Sequence, residues 1–229
     1  MLPLKGIRVL DLSRILAGPH AAQSLFDLGA EVIKVEAPWG DDSRTWGPPF
    51  QSGFDGAEVA SYFLSCNRGK EIVFANLKEE RSKVLELMNS VDVVIENFRP
   101  GTFERLLGPV RSDLIVCSIS GYGQTGPRRD EPAFDLTMQA RTGIMSVTGE
   151  DGGPPAKVGV AWIDVMTGMN AVSSILACLL RRERSGIGAR IDISLWDTAI
   201  SSLVNQAHNA LMGVEGKRMG SSHPNLVPY

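Results

Sequence analysis

An alternation limits the fold more than any other feature. Runs rich in Val, Ile and Leu, at residues 7–12, 31–36, 71–76, 91–96 and 114–119, are separated by longer stretches. Helical periodicity is clearest at 20–28 and 79–88. Strands that alternate with helices pair in parallel, because each helix carries the chain back by a right-handed crossover. Near-continuous aliphatic runs belong to strands covered on both faces. The prediction is an α/β fold, a Rossmann-like parallel sheet flanked by helices. The second half is more helical, over 134–147, 164–183 and 195–213, with one late strand at 189–195.

Glycine and proline collect between these elements, at 37–56, 99–112, 120–133 and 149–156. In open α/β sheets such connections lie beyond the carboxyl ends of the strands and hold the ligand. Residues 1–212 read as one α/β domain, and the Gly/Ser/Pro-rich 213–229 as a linker towards a further domain. On the helix expected over 195–213, Ile200, Leu203, Val204 and Leu211 share one face and would form an apolar patch.

A net charge of −3 offers no general attraction to nucleic acid or to an anionic membrane. Neither is expected as a partner, and an anionic ligand must be met by local cations. The longest uncharged apolar stretch, 165–180, is too short for a membrane span and reads as a core helix. Cys66, Cys117 and Cys178 form no Cys-x-x-Cys pair, which suits a reducing compartment. The N-terminus runs almost directly into a strand, with no visible signal or transit peptide, so a cytoplasmic location is expected. His20, His208 and His223 lack ligand spacing, and no metal site is expected.

Asp164 is the only charged residue between Lys157 and Arg181. A carboxylate in apolar surroundings is costly unless paired or hydrogen-bonded. Two readings stay open on spacing alone: Asp164 caps the helix that follows, or it presents a nucleophile at the helix start. Three other stretches could meet a ligand. Gly121-Tyr-Gly123 follows the strand at 114–119 but lacks the third glycine of a dinucleotide fingerprint. Asn97-Phe98-Arg99 follows the strand at 91–96, with Glu104 and Arg105 on a short helix beyond. Asn67-Arg68-Gly69-Lys70 could supply charge, or could be an ordinary turn. No Gly-x-Ser-x-Gly elbow and no P-loop occurs.

Taken together, ordered segments of this chain resemble the family III CoA-transferases. They are Leu4-Lys-Gly-Ile-Arg-Val-Leu-Asp-Leu12, Ala17-Gly-Pro19, Leu28-Gly-Ala-Glu-Val-Ile-Lys-Val-Glu36, Asn67-Arg-Gly-Lys70, Glu96-Asn-Phe-Arg-Pro-Gly101 and Ser120-Gly-Tyr-Gly-Gln-Thr-Gly-Pro127. The resemblance implies that Asp164 is the catalytic nucleophile of an acyl-CoA:carboxylate CoA-transferase working through an aspartyl-CoA thioester. It implies coenzyme A as co-substrate, met by Lys70, Asn97, Phe98, Arg105, Gly121 and Gly123. It places Leu16, a glutamine in formyl-CoA transferase, on the substrate side. It also sets Phe134 where the related α-methylacyl-CoA racemases carry a histidine. A phenyl ring moves no proton, so the transferase reading is preferred to the racemase. The run Gly40-Asp-Asp-Ser-Arg-Thr-Trp-Gly-Pro-Pro-Phe50 resembles transferases that use dicarboxylic acids such as succinate. Family members are longer, with a small domain, and two subunits interlock as a homodimer. The alternative is a shortened remnant that binds CoA without turnover.

Overall fold

The computed structural model describes residues 2–53 and 56–228. The first crossover is β1 (Arg8–Asp11), α1 (Ala17–Asp27) and β2 (Glu31–Glu36). Next come a 3-10 turn (Asp42–Thr45), β3 (Phe50–Ser52), β4 (Glu58–Ala60) and α2 (Ser61–Ser65). β5 (Glu71–Phe74), α3 (Arg81–Asn89), β6 (Val93–Glu96), α4 (Thr102–Leu107) and β7 (Ile115–Ser120) continue the alternation. The chain then runs through α5 (Asp135–Arg141), α6 (Ile144–Val147), α7 (Trp162–Ser185), β8 (Ala189–Ser194), α8 (Leu195–Ser202) and α9 (Val204–Leu211).

Six strands pair in parallel in the order β5-β2-β1-β6-β7-β8. The expected α/β sheet is present. Successive side chains leave it on opposite faces, and each face has its own core. Val9, Val93, Ile95, Ile115 and Cys117 join the layer under α1 and α7. Leu10, Ile33, Val94 and Val116 join the layer that includes Val84 and Met88 of α3 and Phe103 of α4. Burying both faces makes the strands read as continuous aliphatic runs.

α7 is longer than the uncharged stretch suggested. At 24 residues it is long and apolar enough to cross a membrane by those measures alone. Its row Ile163, Thr167, Ala171, Ile175 and Leu179 is buried in the protein's own core, the place expected for a core helix. At Gly168 the helix meets α1 so closely that an added Cβ would lie 2.8 Å from the Ala17 carbonyl oxygen.

Four details differ from the sequence reading. The stretch 37–56 holds the 3-10 turn and the first strand of an antiparallel hairpin, not loop alone. The helix at 134–147 breaks at Gly143, whose φ of 92° belongs to the left-handed region. The helix at 195–213 also breaks, with Val204 at φ 44°. The break interrupts the single helix on which the apolar face was expected, yet Ile200 stays exposed as that expectation required. Leu203 packs on the core, while Val204 and Leu211 stay exposed. Residues 213–228 carry no helix or strand. They are tied back, with Arg218 donating to the carbonyls of Gly153 at 2.7 Å and Ser146 at 3.2 Å.

Candidate active site

The strand order reverses at β1. Its crossover through α1 leads to β2 on one side, while β6 lies on the other. At such a switch point the connections from neighbouring strand ends diverge and leave a crevice. A cleft of about 190 Å³ lies here, lined by Arg14 and Leu16 after β1, Asn97 after β6 and Gly121 after β7. Asp135 and Asp164 reach it from the starts of α5 and α7. Clefts for drug-sized ligands run to roughly 300–1,000 Å³. This one is smaller than that range.

Asp164 is the third residue of α7, and the residue before the helix, Ala161, has no capping side chain. The cap comes from another helix. Asp135 Oδ2 accepts from the Ile163 N–H at 2.7 Å and the Asp164 N–H at 3.2 Å. Its Oδ1 accepts from Gln139 Nε2 at 2.5 Å. The capping role considered for Asp164 therefore belongs to Asp135. The Asp164 carboxyl itself has no hydrogen bond or ion pair among the described residues. Burial, and then the Asp135 charge, push it up to about 7. Tyr62 of α2 is pushed up to about 12, by burial and then by the charge of Asp164. Its phenol thus stays protonated near the cleft, with the ring edge-on to Trp46 at 5.2 Å. No pattern in the sequence marks Tyr62.

Behind the Ser13–Leu16 segment lies a dry network of opposite charges. Lys34 Nζ donates to the Ser13 carbonyl at 2.7 Å and pairs with Asp41 at 3.0 Å. Asp11 Oδ1 accepts from the Ser13 N–H at 3.0 Å. Lys70 Nζ donates to Asp11 Oδ2 at 2.8 Å, the Pro19 carbonyl at 2.9 Å and Asn67 Oδ1 at 3.0 Å. The Lys34, Asp11, Asp41 and Lys70 side chains are all fully buried. Burial raises the Asp11 carboxyl, but Lys70 and Lys34 outweigh it and the net direction is down.

These contacts revise the expected ligand set. Lys70 has three ammonium donors and all three are engaged, so it supports the fold and leaves none for a phosphate. Asn97 lines the cleft, but its amide grips the Arg14 backbone, accepting from N–H at 3.0 Å and donating to C=O at 2.9 Å. Phe98 is half-buried against the α3/α4 core layer. Arg105 is exposed on α4, away from the cleft lining, and its guanidinium has no hydrogen bond or ion pair among the described residues. Gly121 lines the cleft where a Cβ would come 2.3 Å from that of Ala133. Gly123, at φ 87°, turns the backbone against Asp192. Leu16 is buried in the cleft wall, and Phe134 is 63% exposed at its lining. Asp164, Leu16, Asn97, Gly121 and Phe134 thus come together, whereas Lys70, Phe98, Arg105 and Gly123 lie apart from the lining. Among the described residues no group of three or more His, Cys, Asp or Glu could hold a metal ion.

Residues 4–229 match the model of CoA-transferase family III. The chain belongs to that family. It is 47% identical to the succinate–glutarate CoA-transferase of Agrobacterium fabrum, over 99% of this chain and 60% of that protein. It is 44% identical to the mouse succinyl-CoA:glutarate CoA-transferase, over 100% of this chain and 54% of that protein. A CAIB/BAIF family protein from Brucella suis superposes with a TM-score of 0.94 at 46% identity, over 99% of this chain and 62% of that one. The chain thus spans little more than half the length of these curated relatives. Of the cations expected to meet CoA, Arg105 is free for an anion and Lys70 is not.

Proposed function

We propose that this chain carries CoA-transfer chemistry between carboxylic acids, with Asp164 as the nucleophile. The observation that carries the reading is a carboxyl with no partner at the sheet's switch point, held near 7 instead of its ordinary 3.8. A carboxylate of that kind is ionised in part at neutral pH and poorly stabilised by its surroundings, which favours attack.

In this reading Asp164 Oδ adds to the thioester carbonyl of an acyl-CoA, the C–S bond breaks, and CoA leaves as thiolate. An acyl–aspartyl anhydride remains. The thiolate then attacks the Asp164 carbonyl carbon and the donor acid leaves as carboxylate. The resulting aspartyl-CoA thioester is opened by the acceptor carboxylate, and the returning thiolate takes the acceptor's acyl group and frees Asp164. In this reading the protonated Tyr62, which feels the charge of Asp164, donates to a developing oxyanion. Arg105 lies outside the small cleft, where the nucleotide end of CoA must also lie. A second copy of the chain is a partner by family resemblance. The relatives' names make succinate and glutarate the first acids to try.

The racemase reading is disfavoured by Phe134 at the cleft, since a phenyl ring cannot exchange a proton. The test is trapping. Acyl-CoA followed by hydroxylamine should convert Asp164 to its hydroxamate, found by peptide mass spectrometry. CoA binding without any adduct at Asp164 would favour the remnant that binds and does not turn over.

A further inference from the structure

The Ser13–Leu16 segment is held by more contacts than a turn requires. Ile15 sits at φ 72°, a conformation that β-branched residues rarely adopt. Its N–H faces the Asp41 carboxylate at 3.3 and 3.4 Å. The Arg14 backbone is gripped at both its N–H and C=O by Asn97. Strain that its surroundings over-determine commonly marks a group being aimed. Here it sets Arg14 in the lining of the cleft that holds Asp164.

Arg14 is the only Lys, Arg or His lining that cleft among the described residues. The other charges in the lining are the carboxyls of Asp135 and Asp164. The partner of the Arg14 guanidinium is Asp42, at 3.4 Å, and the two side chains are 54% and 49% exposed. An exposed pair of that length is weak and exchanges readily for a better-placed carboxylate. A planar guanidinium suits a second carboxylate in bidentate fashion. Leu16, Ile119 and Leu195 supply an apolar wall for a short methylene chain. The CoA pyrophosphate does not compete for this place, because the whole pantetheine arm separates it from the reacting sulfur.

We propose that Arg14 is the specificity-determining residue of the cleft: it holds the free carboxylate of a dicarboxylic acyl group whose other carboxyl is the thioester presented to Asp164. The assignment rests on the CoA-transfer reading for its role and makes a binding claim that can be measured separately. Asp42 is then the displaceable counter-ion that occupies the guanidinium until the ligand arrives.

The experiment compares succinyl-CoA with butyryl-CoA, which has the same number of acyl carbons and no second carboxylate. Binding to the 229-residue chain is measured by calorimetry at low ionic strength. Wild type should prefer succinyl-CoA by about tenfold or more, the scale of a charge-assisted bidentate contact. Arg14→Gln should bring the ratio close to one by weakening succinyl-CoA. Arg14→Lys should restore part of it, and Asp42→Asn should raise it by freeing the guanidinium. An absent preference in wild type, or equal weakening of both thioesters by Arg14→Gln, overturns the proposal. If Arg14→Gln does not fold, a ratio unchanged or lowered in Asp42→Asn overturns it instead. Hydroxylamine trapping with butyryl-CoA reports separately on the transfer reading, because that thioester makes no use of Arg14.

Discussion

Two groups of carboxyls share the Ser13–Leu16 segment as a wall, and their pKa values move in opposite directions. On one side Asp11 and Asp41 face Lys34 and Lys70. Burial disfavours their charge, yet the nearby ammonium groups outweigh it and both are held below the ordinary 3.8. On the other side Asp164 is half-buried, and desolvation followed by the charge of its neighbour Asp135 raises it to about 7. Desolvation acts alike on both sides, and the sign of the neighbour decides the outcome. The balanced group anchors the fold. The unbalanced one costs stability, and in the proposed function it supplies the reactive carboxylate.

The contrast breaks most severely if the proposed nucleophile is removed. Asp164→Ala should lower CoA transfer by about 10⁴-fold or more in steady-state assays, as when a covalent path is deleted, while CoA still binds. Turnover near the wild-type rate would remove the distinction between the two groups. The next largest effect lies on the balanced side. Lys70→Met leaves Asp11 without its contact at 2.8 Å. Urea unfolding should show a loss of about 3–5 kcal/mol, the scale for breaking a buried pair. A loss under about 1 kcal/mol would show that Lys70 is not structural.

A third test sharpens the comparison through pH. The folded Asp164 carboxyl titrates near 7 and the ordinary one at 3.8, so the folded state holds its proton more tightly. That contribution to stability is fully present below 3.8 and is lost as pH rises through about 7. Asp164→Asn keeps the shape and removes the titration. At pH 8 it should be more stable than wild type by an amount on the order of 2–4 kcal/mol, and the difference should shrink as pH falls towards 4. Asp11 runs the other way, adding stability above its unfolded value and losing it as pH falls. Equal melting of wild type and Asp164→Asn at every pH would contradict the raised value. The smallest expected effect is outside the cleft. Arg105→Glu should weaken CoA by about 1–3 kcal/mol in a binding titration, and an unchanged dissociation constant would take Arg105 out of the ligand set.

Much of this protein was legible from residues near one another in the chain. The aliphatic runs located five of the six parallel strands, because burial on both faces leaves a local signature in the strand itself. The isolated charge drew attention to Asp164 as either a helix cap or a nucleophile, because an ionisable group in an apolar stretch is conspicuous without any contact map; the family resemblance favoured the nucleophile. Order and partnership were decided only by the tertiary structure. The position of β1 between β2 and β6 creates the cleft, yet no single strand carries that information. Lys70 looked like a surface cation beside a turn, and its partner Asp11 lies 59 residues away. Asn97 looked like a ligand contact, but grips Arg14 across 83 residues. The cap of α7 comes from Asp135, 29 residues before Asp164. Periodicity is a property of neighbours in sequence, whereas burial, ion pairing and the pKa values they set depend on which distant segments meet.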